Sequence, residues 1–575
     1  MNFARKLNRR SFVAGIAGVS AAHCLRPSLL LAAPPAQPNL PNIWGNGQLF
    51  AFSALDGVTD YASGLVARSI NQPPGLSIVF PTKTEIQCGE RITGPVQITS
   101  DTFLLTTEKG TVRGAFVDAY HLLIEGNCNL GNLQEVLQSE KSGGRTLIGV
   151  RKRFNAELLQ ADLADVMAKR QRWLLQQHLP PRLDSRRRRT LEKALSVMKG
   201  QVNSPEGLIH HRWTTPDRWP HRDLWLWDSV FHALGWRHVD KQLARDALEA
   251  VFDGQQSDGR IPHQLSPLKF SSVTQPPLLA LGVRELAGTL PDKDWLKRCY
   301  PKLAKYLLWD FDQRVGSDGL AHWFIDPDPQ SRSGESGMDN SPRFDRATRL
   351  YAVDFNAFLS MECAIMAEFA ATLQLPNDAA EWRRKHEGLN RKINALLWNE
   401  EAGFYFDYDP VAKSQTNVLA VSGFLPLLCG AANEHQIGRL VAHMENPKTF
   451  GTAVPLTSAT TAEGFANPYD MWRGPMWVNT NWLVAHGLES VGRRVEASKL
   501  REKTMDEIER RYMELGSLFE FYDEDGAVAP DKLPRKGRLD PASPYHQAIH
   551  DYGWTCTLYA DLVFSGHSEQ TTKPL

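Results

Sequence analysis

The chain is short of several things, and each shortage excludes a class of protein. It has no net charge: 65 basic and 65 acidic residues balance, so no electrostatic field draws it to nucleic acid. Beyond the first 33 residues it has no apolar run long enough to cross a bilayer. Cysteine is sparse. The seven are scattered at Cys24, Cys88, Cys128, Cys299, Cys363, Cys429 and Cys556, with no CxxC pair and no zinc-type spacing with histidine. An odd, dispersed set in 575 residues is no disulfide scaffold; Cys88 and Cys128, in the same N-terminal region, are the only candidates for a pair. Tryptophan is scarce at one end only. Of sixteen, Trp44 alone precedes residue 150. The rest is Trp-rich, which suits both a packed core and flat platforms for sugar rings.

What is there begins with an address. Arg5, Lys6, Arg9 and Arg10 precede a weakly apolar run from Phe12 to Ala22. Residues 1–33 resemble a twin-arginine export signal, which predicts a periplasmic or exported protein and is set apart from the fold. A Pro-rich stretch, Ala33–Pro41, follows. Residues 40–150 hold short strand-like runs (Ser77–Phe80, Pro95–Thr99, Thr102–Thr106, His121–Ile124) bounded by Gly, Asn, Asp or Pro, the pattern of a small β-sandwich. No catalytic cluster is evident in them.

From residue 151 to 568 the apolar spacing is helical. Asp184 and Ser185 cap a helix whose run Arg186–Arg189 reads as a solvated face. Twelve helices are expected, near 186–199, 227–237, 240–253, 275–288, 294–313, 354–373, 377–397, 415–430, 433–444, 477–491, 495–513 and 546–565. Paired by alternately short and long loops, they suit an (α/α)6 toroid, with the long loops gathered at one end as a pocket. The fold class is therefore mainly α, a toroid preceded by a small β-sandwich-like domain.

The long loops carry the chemistry. In order they hold Leu224-Trp225-Leu226-Trp227-Asp228, Gln256–Gln264, Glu335-Ser336-Gly337-Met338-Asp339, Leu397–Tyr405, Met471-Trp472-Arg473-Gly474-Pro475 and Phe519-Glu520-Phe521-Tyr522-Asp523. Together, in this order, they resemble the α/α-barrel inverting glycosidases of families 63 and 37, over about residues 200–565. That group includes processing α-glucosidase, trehalase and the bacterial hydrolases of mannosylglycerate and glucosylglycerate. The resemblance implies Asp339 as general acid and Glu520 as general base. It implies Trp227, Asp228, Gln264, Glu335, Gly337, Trp472 and Arg473 as residues lining the subsite of the cleaved sugar. Two departures stand out: Met338 replaces the aromatic residue usual before the acid, and the N-terminal domain is shorter than in some relatives.

Inversion needs two carboxyl groups with opposite duties, about 6.5–9.5 Å apart, with a water between the base and the sugar. The acid must hold a proton, which partial burial among Trp and Met side chains would favour. Asp523 and Asp525 beside Glu520 would act on it in the same sense, so the division of roles rests on the resemblance. This chemistry needs no metal or organic cofactor. Asp326–Asp328 and Asp407–Asp409 are acidic enough for a structural calcium, though nothing further in the sequence favours one. The expected activity is release of a terminal sugar, α-glucose first, from a small glycoside or oligosaccharide. An α-mannosidic or glycerate-glycoside hydrolase, or a trehalase, is the alternative on the same fold. A lyase or epimerase would need His or Tyr as pocket base, and a non-catalytic carbohydrate-binding protein would keep the ring without the acids.

Overall fold

A computed structural model describes residues 40–571, except 289–291, 329–331, 461–464 and 538–539. The export segment, Cys24 and nearly all of the Pro-rich stretch lie outside the described residues. Eleven strands come first: β1 (Leu49–Ala51), β2 (Val66–Asn71), β3 (Pro74–Phe80), β4 (Thr84–Gln87), β5 (Ile92–Ile98), β6 (Thr102–Thr107), β7 (Gly110–Asp118), β8 (His121–Glu125), β9 (Asn129–Leu130), β10 (Leu137–Ser142) and β11 (Arg145–Val150). They form two antiparallel sheets, ordered β1-β2-β3-β4-β9 and β10-β11-β8-β7-β6-β5. Phe50, Leu76, Ile86, Phe103, Leu105, Phe116 and Leu122 fill the space between them, the two-faced burial of a sandwich. Cys88 and Cys128 are both buried free thiols, not a disulfide.

The helices are α1 (Leu163–Leu175), α2 (Ser185–Gly200), α3 (Leu226–Trp236), α4 (Lys241–Asp253), α5 (Leu279–Ala287), α6 (Lys293–Arg314), α7 (Val353–Thr372), α8 (Pro376–Lys392), α9 (Glu434–Glu445), α10 (Val478–Ser490), α11 (Arg494–Leu515) and α12 (Gly553–Thr571). Helix α1 lies on the outer face of the second sheet, where Leu163, Val166 and Met167 meet Ala115, Leu123 and Leu147. The expected helix 415–430 is instead a 3-10 segment, Val421–Leu427, with Pro426 inside it; proline removes a backbone donor and clashes with the preceding turn. This segment with α3, α5, α7, α10 and α12 makes the inner ring, each packed on the next and α12 on α3. Their partners α4, α6, α8, α11 and α2 make the outer ring, and α9 packs against the short strand Phe404–Tyr405. The architecture is a six-hairpin toroid preceded by a β-sandwich.

Inner helices are buried nearly all round, as α3 and α7 show, whereas outer α4 buries only one face. Gly235 lets α3 approach α12, since a Cβ there would sit 2.4 Å from the carbonyl oxygen of Thr557. Helix α5 has no cap from its own N-cap residue. Glu362 of α7 supplies one, accepting the N–H groups of Ala280 and Leu281 at 2.8 Å each, and burial still pushes its carboxyl up to about 8.

The sixth hairpin joins the two ends of the helical region, because α2 pairs with α12. Lys193 of α2 reaches the buried carboxylate of Asp551, just before α12, at 2.7 Å. The arginine run is a partly solvated face that also carries ion pairs. Arg186 and Arg187 both grip Glu509 of α11, at 2.9 and 2.8 Å, and extend to Asp506 and Glu502. Lys193→Met leaves the Asp551 charge without its buried cation. It should lower the unfolding free energy by about 3–5 kcal/mol, read from urea denaturation; a loss under about 1 kcal/mol would show the pair is not what closes the ring.

Candidate active site

The loops at one end of the inner ring enclose a cavity of about 220 Å³. Its wall includes Trp225, Trp227, Trp472, Trp477 and Trp554, with Asp228, Asp339 and Glu520. Trp472 and Trp477 stack at 3.8 Å, and Trp554 stands edge-on to Trp227 at 5.6 Å. Gly337, at φ +72°, packs beneath Trp227: a Cβ there would come within 2.4 Å of the indole, so glycine is the residue that admits both ring and turn.

Three polar atoms in this lining are buried without a hydrogen-bond partner: Trp225 Nε1, Trp472 Nε1 and Asp228 Oδ1. Buried polar groups are normally satisfied. Two donors and an acceptor waiting in an aromatic cavity suit a ligand dense in hydroxyls. Burial first, then the charges of Glu520, Asp217 and Asp339, hold the Asp228 carboxyl well above the usual range. His263, also in the wall, is pushed down to about 4 by burial and presents a neutral ring.

The two candidate catalytic carboxylates share this cavity and are held by consecutive residues. Arg535 clamps buried Glu520 through two bonds, Nε to Oε2 at 2.8 Å and Nη2 to Oε1 at 3.0 Å. Lys536 places its ammonium 2.5 Å from Asp339 Oδ2. The N–H groups of Lys536 and Gly537 donate to Asp470 at 2.5 and 2.6 Å. Asn340, next to Asp339, donates to the Asp470 carbonyl and accepts from the Trp472 N–H. Acid loop, tryptophan loop and the Arg535–Gly537 strap are thereby tied together. Behind the clamp, His221 accepts from Arg535 at 3.2 Å and faces Asp217 through Nδ1 at 2.7 Å.

Of the expected site residues, the cavity gathers Asp339, Glu520, Trp227, Asp228, Gly337 and Trp472. It does not gather Gln264, Glu335 or Arg473, whose side chains are engaged by other groups of the protein. Gln264 is drawn to Asp223 at 2.5 Å; Gln275 lines the wall instead and accepts the Trp227 N–H at 3.1 Å. Glu335 is taken up by Arg314 at 2.7 Å and by the N–H groups of Phe324 and Thr274, which pins the acid loop from behind. Arg473 makes a two-point pair with Asp345 at 2.7 and 2.8 Å and donates to two carbonyls. Met338 points away, its sulfur 3.8 Å from Arg343. Asp407 is likewise spent on Arg343. Arg535, Lys536, His221 and Tyr552 escaped notice in the sequence. The one available signal was the basic pair Arg535-Lys536 between Pro534 and Gly537 in a site otherwise made of acids. Among the described residues no group of three or more His, Cys, Asp or Glu is placed to hold a metal.

Residues 220–555 match the mannosylglycerate hydrolase MGH1-like glycoside hydrolase domain. The chain belongs to that family. It is an inverting glycoside hydrolase of the six-hairpin type, and carbohydrate is its partner. Mannosylglycerate hydrolase of Thermus thermophilus is 28% identical over 390 residues, 52% of this chain and 88% of the relative. Mannosylglycerate hydrolase of Rubrobacter radiotolerans is 25% identical over 438 residues, 61% and 92%. A crystal structure of the GH63 mannosylglycerate hydrolase from Thermus thermophilus with Tris and D-glycerate aligns at TM-score 0.53 and 26% identity, over 65% of this chain and all of that one. The sandwich strands, Leu49–Val150, lie outside the 220–555 match.

Four residues past Glu520, Glu524 is buried and neither carboxylate oxygen has a partner. Burial, then Asp523 and Asp525, pushes its carboxyl from 4.5 up to about 8. Between those values the folded chain keeps a proton that the unfolded chain has released, so this residue removes stability as pH rises from about 4.5 to 8. The unfolding free energy of the wild type should fall relative to Glu524→Gln across that window, by on the order of a few kcal/mol. Parallel pH curves for the two proteins would contradict the assignment.

Proposed function

We propose that the chain hydrolyses a small glycerate glycoside, mannosylglycerate or glucosylglycerate, with Asp339 as general acid and Glu520 as general base. The observation that carries this reading is a cavity with both acids in its wall and three unpartnered polar atoms for hydroxyls. Its volume, about 220 Å³, is below the roughly 300–1,000 Å³ of most ligand pockets and favours a short substrate over an oligosaccharide. The relatives' names support the glycerate glycosides over the α-glucosidase expected first, and the Lys536 ammonium beside Asp339 complements a glycerate carboxylate.

In this mechanism Asp339 protonates the leaving oxygen while Glu520, held in place by its guanidinium clamp, takes a proton from water attacking the opposite face of the ring. Asp228 and the indole N–H groups hold hydroxyls of the cleaved sugar. Glu335 and Arg473 fix the acid and tryptophan loops without touching substrate.

Asp339→Asn and Glu520→Gln should each lower kcat by about 10²–10⁴-fold while sugar binding, read by calorimetry, persists. Turnover unchanged in Asp339→Asn would remove that residue from the mechanism. Proton NMR of the first minutes of hydrolysis of an α-glycoside should show the β-anomer; early α-anomer would mean a nucleophile at ~5 Å and retention. Loss of turnover with all binding lost as well would favour a structural role for the acids.

We also propose export by the twin-arginine route. No described helix is long and apolar enough to cross a membrane, and residues 1–33 carry the arginine pair. Replacing Arg9 and Arg10 together by lysine should strand the protein in the cytoplasm on cell fractionation; export undiminished would discard this address.

A further inference from the structure

We propose that Cys88 and Cys128 close to a cross-strand disulfide when the folded chain meets an oxidising compartment. Both are thiols in the structure described above. They follow directly on paired strands: β4 and β9 are antiparallel, with Ile86 opposite Leu130 and Gln87 opposite Asn129. One step further, the same register sets Cys88 opposite Cys128. The hydrogen bonds fix the kind of pair. Gly131 donates its N–H to the Glu85 carbonyl at 2.8 Å, whereas Cys88 turns its N–H the other way, to Pro74 of β3, at 2.9 Å. Pairs alternate along an antiparallel ladder, so Cys88 and Cys128 take a non-hydrogen-bonded position, where Cα atoms stand about 4.5 Å apart. A disulfide spans about 4.4–6.8 Å between Cα atoms. Both side chains enter the core between the two sheets.

The two thiols are not equivalent. Burial, then Cys128, pushes the Cys88 thiol up to about 12, so Cys88 is the slower to ionise. Cys128 stands on the last strand of its sheet between exposed Asn127 and Asn129. Its Sγ donates to the Thr146 hydroxyl at 3.7 Å, a long contact that a sulfur bond would replace. Closure therefore starts at Cys128. Its thiolate attacks a small-molecule or protein disulfide and releases one thiol. The Cys88 thiolate then attacks the Cys128 sulfur of the mixed disulfide and releases the second. The pair gives up two electrons and two protons, and the oxidant leaves as two thiols. The bond ties down β9, a two-residue strand at the sheet edge, and closes the loop from 88 to 128, which restricts the unfolded chain. It requires an oxidant but no particular export route.

The test does not use catalysis. The full chain is treated with oxidised glutathione, alkylated in denaturant and digested without reductant. The Cys88 and Cys128 peptides should then appear as one linked species, lighter than their sum by two hydrogens. The oxidised protein should melt about 3 °C above its own reduced form, and Cys88→Ser should show no such difference. Both peptides recovered as free thiols, or Cys128 carrying glutathione with no bond to Cys88, would overturn the proposal. So would a gain in midpoint that Cys88→Ser retains. Should the variant not fold, the peptide measurement on the wild type decides.

Discussion

The carboxylate of Asp551 is the point on which the rest of the molecule hangs. Its two oxygens accept the N–H of Leu49 in the sandwich, the ammonium of Lys193 in the outer ring, and the hydroxyl of Ser517 before the Glu520 loop. Its carbonyl takes the Gln201 side chain. One buried carboxylate therefore joins first sheet, ring closure and the Glu520 loop. The chain pays for it with a left-handed backbone at a non-glycine position, φ +52°, a conformation that costs about 1–3 kcal/mol and persists where surroundings over-determine it. Two residues upstream, the Ile549 carbonyl accepts the N–H of Glu520 at 2.9 Å. Closing the ring and positioning Glu520 are the same structural event.

That coupling gives the sandwich a role that its own residues do not announce. It holds no catalytic cluster, yet Arg68 of β2 donates to the carbonyls of Asp217 and His550. Those carbonyls sit in the two segments that lead to His221 and to Tyr552, both in the cavity wall. The sandwich is a backing plate: it fixes the backbone of cavity loops that have no helix of their own behind them.

Elements that repeat a local period were readable in the sequence. The inner helices, and the Trp-Asp and Gly-rich loops between them, follow from apolar spacing and from residue types with few other uses. The side chains that the cavity leaves out share one feature. Gln264, Glu335 and Arg473 have the right chemistry for a sugar, but whether a polar side chain faces ligand or protein depends on a partner elsewhere in the sequence: Asp223, Arg314 and Asp345 respectively. Gln264 and Gln275 cannot be ranked by type, only by which one the ring turns inward. The 3-10 segment at Val421–Leu427 is the opposite case, since Pro426 marked it locally and helical periodicity was allowed to override it. The arginine run on α2 needed Glu509, more than three hundred residues on, to become a clamp.

The strap holds two similar carboxyl groups in unlike ways. Glu520 is buried and gripped by a planar guanidinium at two points, a geometry that leaves little freedom to the side chain. Asp339 is about one-fifth exposed and meets a single ammonium on a flexible four-carbon stem, which can swing aside. A base must stay charged until it takes its proton, whereas an acid must regain one from solvent at each turnover. The rigid cation suits the first requirement and the mobile one suits the second. On the proposed roles, the order Arg535-Lys536 is thus a functional order: the same two residues reversed would hold the acid fast and leave the base loose.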